Sequence, residues 1–187
     1  MLKTLIFFAL LNLISFCQSN ELIQFINKVL AAKDISAQVT IISNKTLEGN
    51  FFYKSPNKYR YDFTNILLVT DGITFWNFDK KRNKIVIDNF DNNSLQFNLN
   101  NFFADVKSKA KIIKIEDGTF SIKETNNKLY KDATIWLKNG TIEKINFIDK
   151  DNNPFIIKFS NLKLNTKINE SLFSLENIEG AKVIDLR

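Results

Sequence analysis

The sequence predicts a mainly β fold of the α+β type, one large curved antiparallel sheet or barrel of about 10-12 strands with two or three added helices. Three observations predict it. Beyond Lys33 the apolar pattern changes from a helical period to a period of two and keeps it over most of the chain. The alternating runs are short and separated by turn signals such as Asp71-Gly72, Asn139-Gly140 and the DKDNNP stretch before Phe155. Two further segments carry apolar residues at helical spacing and offer a cover for the mouth of an unclosed sheet.

The N-terminus, MLKTLIFFALLNLISFCQSN, has Lys3, an uncharged apolar run from Leu5 to Phe16, then small and polar residues. This is the layout of a secretory signal peptide. The run is shorter than the roughly 20 residues that a membrane-spanning helix needs. Cys17 and Ser19 are small residues suited to cleavage after Ser19, so residues 1–19 are expected to be the signal peptide and residues 20–187 a single domain. The competing expectation makes Cys17 a lipid-bearing N-terminus; bulky Phe16 directly before it argues against that. Cleavage after Ser19 leaves no cysteine, so stability must come from the core rather than from disulfides.

SNELIQFINKVLAAKD places Leu22, Ile23, Ile26, Val29 and Leu30 on one helical face behind Ser19 or Asn20 as N-cap, and predicts a helix ending near Lys33. Strands are expected at Ala37–Ser43, Leu47–Lys54, Lys58–Phe63, Ile66–Thr70, Thr74–Asp79 and Lys84–Asp88, joined by connectors short enough for a meander. SLQFNLNNFFADVKSKA, with Leu95, Leu99, Phe102, Phe103 and Val106 behind Ser94 as cap, predicts a second helix. Strands then resume at Ala110–Glu116, Thr119–Thr125, Asp132–Leu137, Ile142–Asp149, Phe155–Leu164 and Lys182–Leu186.

Chemistry is excluded more firmly than it is indicated. The 187 residues include no His, and the single Cys lies in the targeting segment, so His- and thiol-based catalysis and Cys- or His-ligated metals drop out. Only 5 Gly and 2 Pro leave no Gly-rich phosphate loop and no Pro-rich linker. Paired carboxylates such as Asp88 with Asp91, or Asp149 with Asp151, sit in Asn-rich turns, where Asp bonds its own backbone. DKDNN lacks the Gly and distal Glu of a calcium loop. The net charge of +6 comes from Lys scattered among Asp and Glu, a solvated face rather than a nucleic-acid surface. No enzyme activity, no cofactor, no metal and no nucleic acid are therefore expected. Aromatics make up 13% of the chain and Phe occurs 18 times. An AT-rich genome accounts for part of that excess but not for its placement around Ser55 to Lys80, and what remains is binding by apolar surface.

The residues of that stretch resemble a known family. Leu47-Glu-Gly-Asn-Phe-Phe-Tyr-Lys-Ser-Pro-Asn-Lys-Tyr-Arg-Tyr-Asp-Phe is similar to the Gly-x-Phe strand, Pro, and aromatic-Arg-aromatic strand of the LolA family of outer-membrane lipoprotein carriers. Leu68-Val-Thr-Asp-Gly-Ile-Thr-Phe-Trp-Asn-Phe-Asp-Lys looks like that family's next hairpin, and the run from Asn139-Gly140 through Pro154 like a late one. Ile168-Asn-Glu-Ser-Leu-Phe-Ser-Leu and Gly180-Ala-Lys-Val-Ile-Asp-Leu resemble its close. The likeness runs in register from about Glu21 to Leu186, loosest between Asn89 and Lys131, with Tyr61 where Trp is frequent and Ser55 where a basic residue often precedes the Pro.

The resemblance implies an open, incomplete antiparallel β-barrel of about 10-12 strands, with two or three helices forming a lid over an apolar cavity that receives acyl chains. It implies lipidated proteins as cargo, an inner-membrane lipoprotein-releasing transporter as donor, an outer-membrane acceptor, a periplasmic location and a monomer. Its site residues carry over to Arg60, Tyr59, Tyr61, Phe63, Trp76, Phe78, Phe51 and Tyr53, with Arg60 helping to hold the lid closed. A LolB-like lipid-anchored acceptor and a non-catalytic exported structural module are the competing readings. The alternation itself puts the rings of Tyr59, Tyr61 and Phe63 on one face of their strand and Arg60 with Asp62 on the other. Either Arg60 faces the cavity and the rings cover the convex face, or the family role of the arginine does not transfer.

Overall fold

The computed structural model describes residues 20–91, 99–123, 130–149, 152–175 and 178–187. The expected signal peptide, Cys17, the Ser94 cap and Asp151 lie outside the described residues. Two α-helices, α1 (Asn20–Leu30) and α2 (Leu99–Lys109), accompany twelve strands. These are β1 (Asp34–Ile42), β2 (Thr46–Lys54), β3 (Lys58–Phe63), β4 (Ile66–Thr70), β5 (Thr74–Asp79), β6 (Lys84–Asn89), β7 (Lys111–Glu116), β8 (Thr119–Lys123), β9 (Tyr130–Lys138), β10 (Thr141–Asp149), β11 (Pro154–Leu164) and β12 (Lys182–Asp185). A 3-10 helix, Glu170–Phe173, precedes β12.

Turn chemistry sets the hairpins. Asn139 (φ 52°) and Gly140 (φ 70°) both take the left-handed region, the backbone that a two-residue β9–β10 turn requires. The Asp71 carboxylate accepts from the backbone N–H of Ile73 (2.8 Å) and Thr74 (2.7 Å), closing the β4–β5 turn. Gly49 answers a different demand: a Cβ there would stand 2.1 Å from the Asp62 carbonyl oxygen of the neighbouring strand, so the β2–β3 approach admits only glycine.

All twelve strands form one sheet in the order β12-β6-β5-β4-β3-β2-β1-β11-β10-β9-β8-β7. It consists of two meanders, β1–β6 and β7–β11, joined through α2 and sealed by the antiparallel β1–β11 pair, which bulges between Ser36 and Gln38. Two features depart from a simple antiparallel meander. The first strand is central, because β11 returns to it. The last strand is parallel to its neighbour, with Val183 opposite Ile85 and Ile184 opposite Val86, since the chain reaches β6 after crossing a face of the sheet rather than through a hairpin.

Inward residues of β1, β2, β3, β8, β9, β10 and β11 join both helices in one buried cluster. Strands spaced about 4.8 Å apart cannot all touch two helices unless the sheet curls around them. The result is an open, incomplete β-barrel with two helices on its concave face. Leu22, Phe25, Ile26 and Val29 of α1, and Leu99, Phe102, Phe103 and Val106 of α2, are the faces turned inward. Each such side chain contributes roughly 1.5–3 kcal/mol by leaving water.

Candidate functional site

The concave wall is aromatic where β2 meets β3. Register places Phe51 opposite Tyr61 and Tyr53 opposite Tyr59. Their ring centroids stand 4.9 Å and 5.1 Å apart, and Tyr61 stacks along its own strand on Phe63 at 6.0 Å. All five rings are buried. From the helices, Phe103 closes edge-on against Phe25 at 5.6 Å. The phenols are part of a dry surface: burial, with Tyr59 adjacent, pushes the Tyr61 hydroxyl far above its ordinary value. Burial also raises Tyr53, against the pull of hydrogen bonds with Ser55 and with Asn100 of α2.

The remaining three expected site residues do not share this wall. Arg60 registers against Val69, Val69 against Trp76, and Leu67 against Phe78, so period two carries Arg60, Trp76 and Phe78 together onto the outer face. Of the two placements that the alternation leaves for Arg60, the structure has the arginine turned away from the rings and from both helices. It is nonetheless only 17% exposed, because another element covers it.

That element is a strap across the outer face, described at Asn165–Leu175 and Ile178–Ala181. Its start is tied to Asp34, a buried acid whose carboxylate accepts from the Thr166 N–H (2.6 Å), the Thr166 hydroxyl (3.1 Å) and the Lys167 N–H (3.1 Å). Lys54 donates to the Ile168 carbonyl at 2.7 Å, and Lys54 and Lys58 both pair with Glu170. Arg60 donates through Nη1 to the Leu172 carbonyl at 3.1 Å and through Nη2 to Asp62 at 2.9 Å. Beyond the fully buried Phe173, the strap lays Leu175, Ile178 and Ala181 against a second apolar cluster of Leu67, Val69, Phe78 and Ile85, with Trp76 and Ile87 at its margin. The β3–β5 part of the sheet is thus packed on both faces.

Asp62 holds the centre of this polar seam. Lys80 reaches it at 2.6 Å and donates also to the Phe63 carbonyl at 2.6 Å. Burial pushes the Asp62 carboxyl up, but the hydrogen bonds and charges of Lys80 and Arg60 outweigh it and hold the group below the usual carboxylate range. Hydrogen bonds from Lys58 and Lys54 lower Glu170 in the same way. The strap and Asp34 carry no periodicity and no turn motif; the sequence signals for the strap are the family-like run from Ile168 to Leu175 and its unpatterned apolar residues between two strands.

Among the described residues no group of three or more His, Cys, Asp or Glu is placed to hold a metal ion, and no helix is long and apolar enough to cross a membrane. A hollow of about 350 Å³ opens at the β8–β11 end, lined by Thr134, Asn146, Ile156 and the Lys123–Asp132 ion pair.

The family model described as outer membrane lipoprotein carrier protein LolA matches residues 36–176. The chain belongs to the LolA family. Its match takes in every strand but β12 in whole or large part, both sides of the aromatic wall, and most of the strap. An uncharacterized protein of Methanocaldococcus jannaschii is 24% identical over 176 residues, covering 84% of this chain. The chain spans half the length of that curated relative. Among solved structures, an uncharacterized conserved protein from Thermus thermophilus superposes with a TM-score of 0.57 at 13% identity, covering 89% of this chain and 98% of the other. That likeness shows the fold. A LolA superfamily protein from Nitrosomonas europaea covers 81% of this chain and 96% of its own at 10% identity, with a TM-score of 0.39.

Proposed function

We propose that this LolA-family chain is a non-catalytic, exported carrier that takes the acyl chains of lipidated proteins onto its concave face and passes them between membranes. One observation carries the reading: a continuous wall of five buried rings, Phe51, Tyr53, Tyr59, Tyr61 and Phe63, is covered among the described residues by the apolar faces of two short helices and by Phe90. Removing an acyl chain from water is worth about 0.8 kcal/mol per methylene, so a carrier needs a wall of this kind and a means of releasing what it holds. Helix side chains already occupy the wall, so a chain enters by displacing them. The helices act as a lid whose packing against the wall competes with cargo, and the competition makes binding reversible.

The lid in this reading is held by packing and by the Tyr53–Asn100 contact, and Arg60 serves the strap instead. The donor is an inner-membrane lipoprotein-releasing transporter, the recipient an outer-membrane acceptor, and the compartment the periplasm. The test is displacement of an environment-sensitive fluorescent fatty acid by a synthetic lipopeptide. A carrier binds the probe and releases it to the lipopeptide but not to the unlipidated peptide. A structural module binds neither, which would overturn the reading.

A further inference from the structure

Asn100 lies in the first turn of α2, and its Oδ1 is shut off from solvent without a hydrogen-bond partner. Its side chain is not idle, since a hydrogen bond joins it to Tyr53. The Tyr53 hydroxyl has one proton, and that proton is directed to the Pro56 carbonyl at 3.3 Å. The hydroxyl therefore accepts from Asn100 Nδ2, and Oδ1 is left as a buried acceptor with no donor. Rotating the amide by half a turn is opposed, because Oδ1 would then meet the Tyr53 hydroxyl, whose proton is directed to Pro56, as acceptor against acceptor. A buried acceptor without a donor is unfavourable for the empty protein and is made good by any ligand that brings an N–H to it.

The position of the atom restricts which ligand. Asn100 is flanked in sequence by the buried Leu99, Phe102 and Phe103, and its partner Tyr53 stands 5.1 Å, ring to ring, from Tyr59. A group that reaches Oδ1 thus arrives with hydrocarbon beside it. We propose that Asn100 Oδ1 is the recognition point for the amide N–H of an N-acylated chain terminus whose hydrocarbon lies along Tyr53, Tyr59 and Tyr61. An ester-linked chain has no N–H at that position and leaves the acceptor unmet. The inference rests on the carrier reading above and adds the chemical linkage that the carrier selects.

Two fluorescent probes with the same chain and dye, one amide-linked and one ester-linked, test it on the whole protein. The wild type is expected to bind the amide about tenfold more tightly, the worth of one acceptor satisfied in a dry site. Asn100→Leu should bring the two probes to parity, whatever the loss of the Tyr53 contact does to the affinity they share through the lid. Tyr53→Phe removes the contact to Nδ2 but keeps Oδ1, so it should retain the preference. No preference in the wild type, a preference surviving in N100L, or an equal loss in Y53F and N100L would each overturn the assignment. The wild-type comparison decides even where a variant fails to fold. If neither probe binds, the carrier reading itself falls; if both bind alike, that reading stands and this assignment alone is sunk.

Discussion

At the scale of single residues, the family's Gly-x-Phe pattern has a steric cause here. Gly49 lies where β3 brings the Asp62 carbonyl within 2.1 Å of any Cβ, and the obstacle is backbone, which cannot rotate aside. Gly49→Ala should destabilise the fold by about 1–3 kcal/mol through forced separation of β2 and β3, read as a lower midpoint in thermal or urea unfolding. An unchanged midpoint would show that the strands part freely. Arg60 is the second residue whose role the structure redefines. Arg60→Leu removes the donor to Leu172 and one of two partners of Asp62. It should cost about 1–2 kcal/mol and speed amide exchange in the strap. Acyl-probe affinity should stay unchanged; a large loss of probe binding would mean that Arg60 reaches the lid after all.

At the scale of elements, the strands were legible because alternation and turn residues agree at hairpins such as Asp71-Gly72 and Asn139-Gly140. The strap was not. Its described residues include six buried or half-buried apolar ones without period, and it is held by side chains contributed from elsewhere, Asp34, Lys54, Lys58 and Arg60, which sequence spacing cannot connect. For the same reason the parallel pairing of β12 could not be read: it follows from the route of the strap. Asp34→Ala should free the Thr166 and Lys167 N–H groups together and cost about 2–4 kcal/mol, with the exchange increase confined to the strap's start and the neighbouring β1 end. Acid should act on the same element. Asp62 and Glu170 are both held below their ordinary values of 3.8 and 4.5, so their contribution is present above those values and is lost as pH falls through the lowered ones. The melting temperature and strap protection should therefore fall as pH drops below about 4. In an Asp62→Asn, Glu170→Gln double variant that slope should flatten, and an equally steep slope would assign the acid sensitivity elsewhere.

At the scale of the whole molecule, the sheet has two working faces, and alternation predicts which residues share a face without saying what covers it. Tyr59, Tyr61 and Phe63 were correctly grouped by parity. Assigning Trp76 and Phe78 to the same site required the β3–β4–β5 register, which puts them with Arg60 instead. The consequence is measurable because the chain's two tryptophans both avoid the concave face. Trp76 lies beside the strap, and Trp136, next to the fully buried inward Ile135, points outward beneath the ammonium of Lys144 at 3.7 Å from its ring centre. A brominated acyl probe quenches a tryptophan only on close approach. Probe entering between the helices and the wall should thus leave the native fluorescence largely intact, with the sheet standing between quencher and indole. A Tyr61→Trp variant, which puts an indole into the wall and adds two side-chain heavy atoms that the helix-covered face must accommodate, should be quenched strongly on the same titration. Equal quenching in the parent protein would place the acyl chain on the outer face, under the strap, and would transfer the carrier site from the helix-covered side of the sheet to the side held by Arg60.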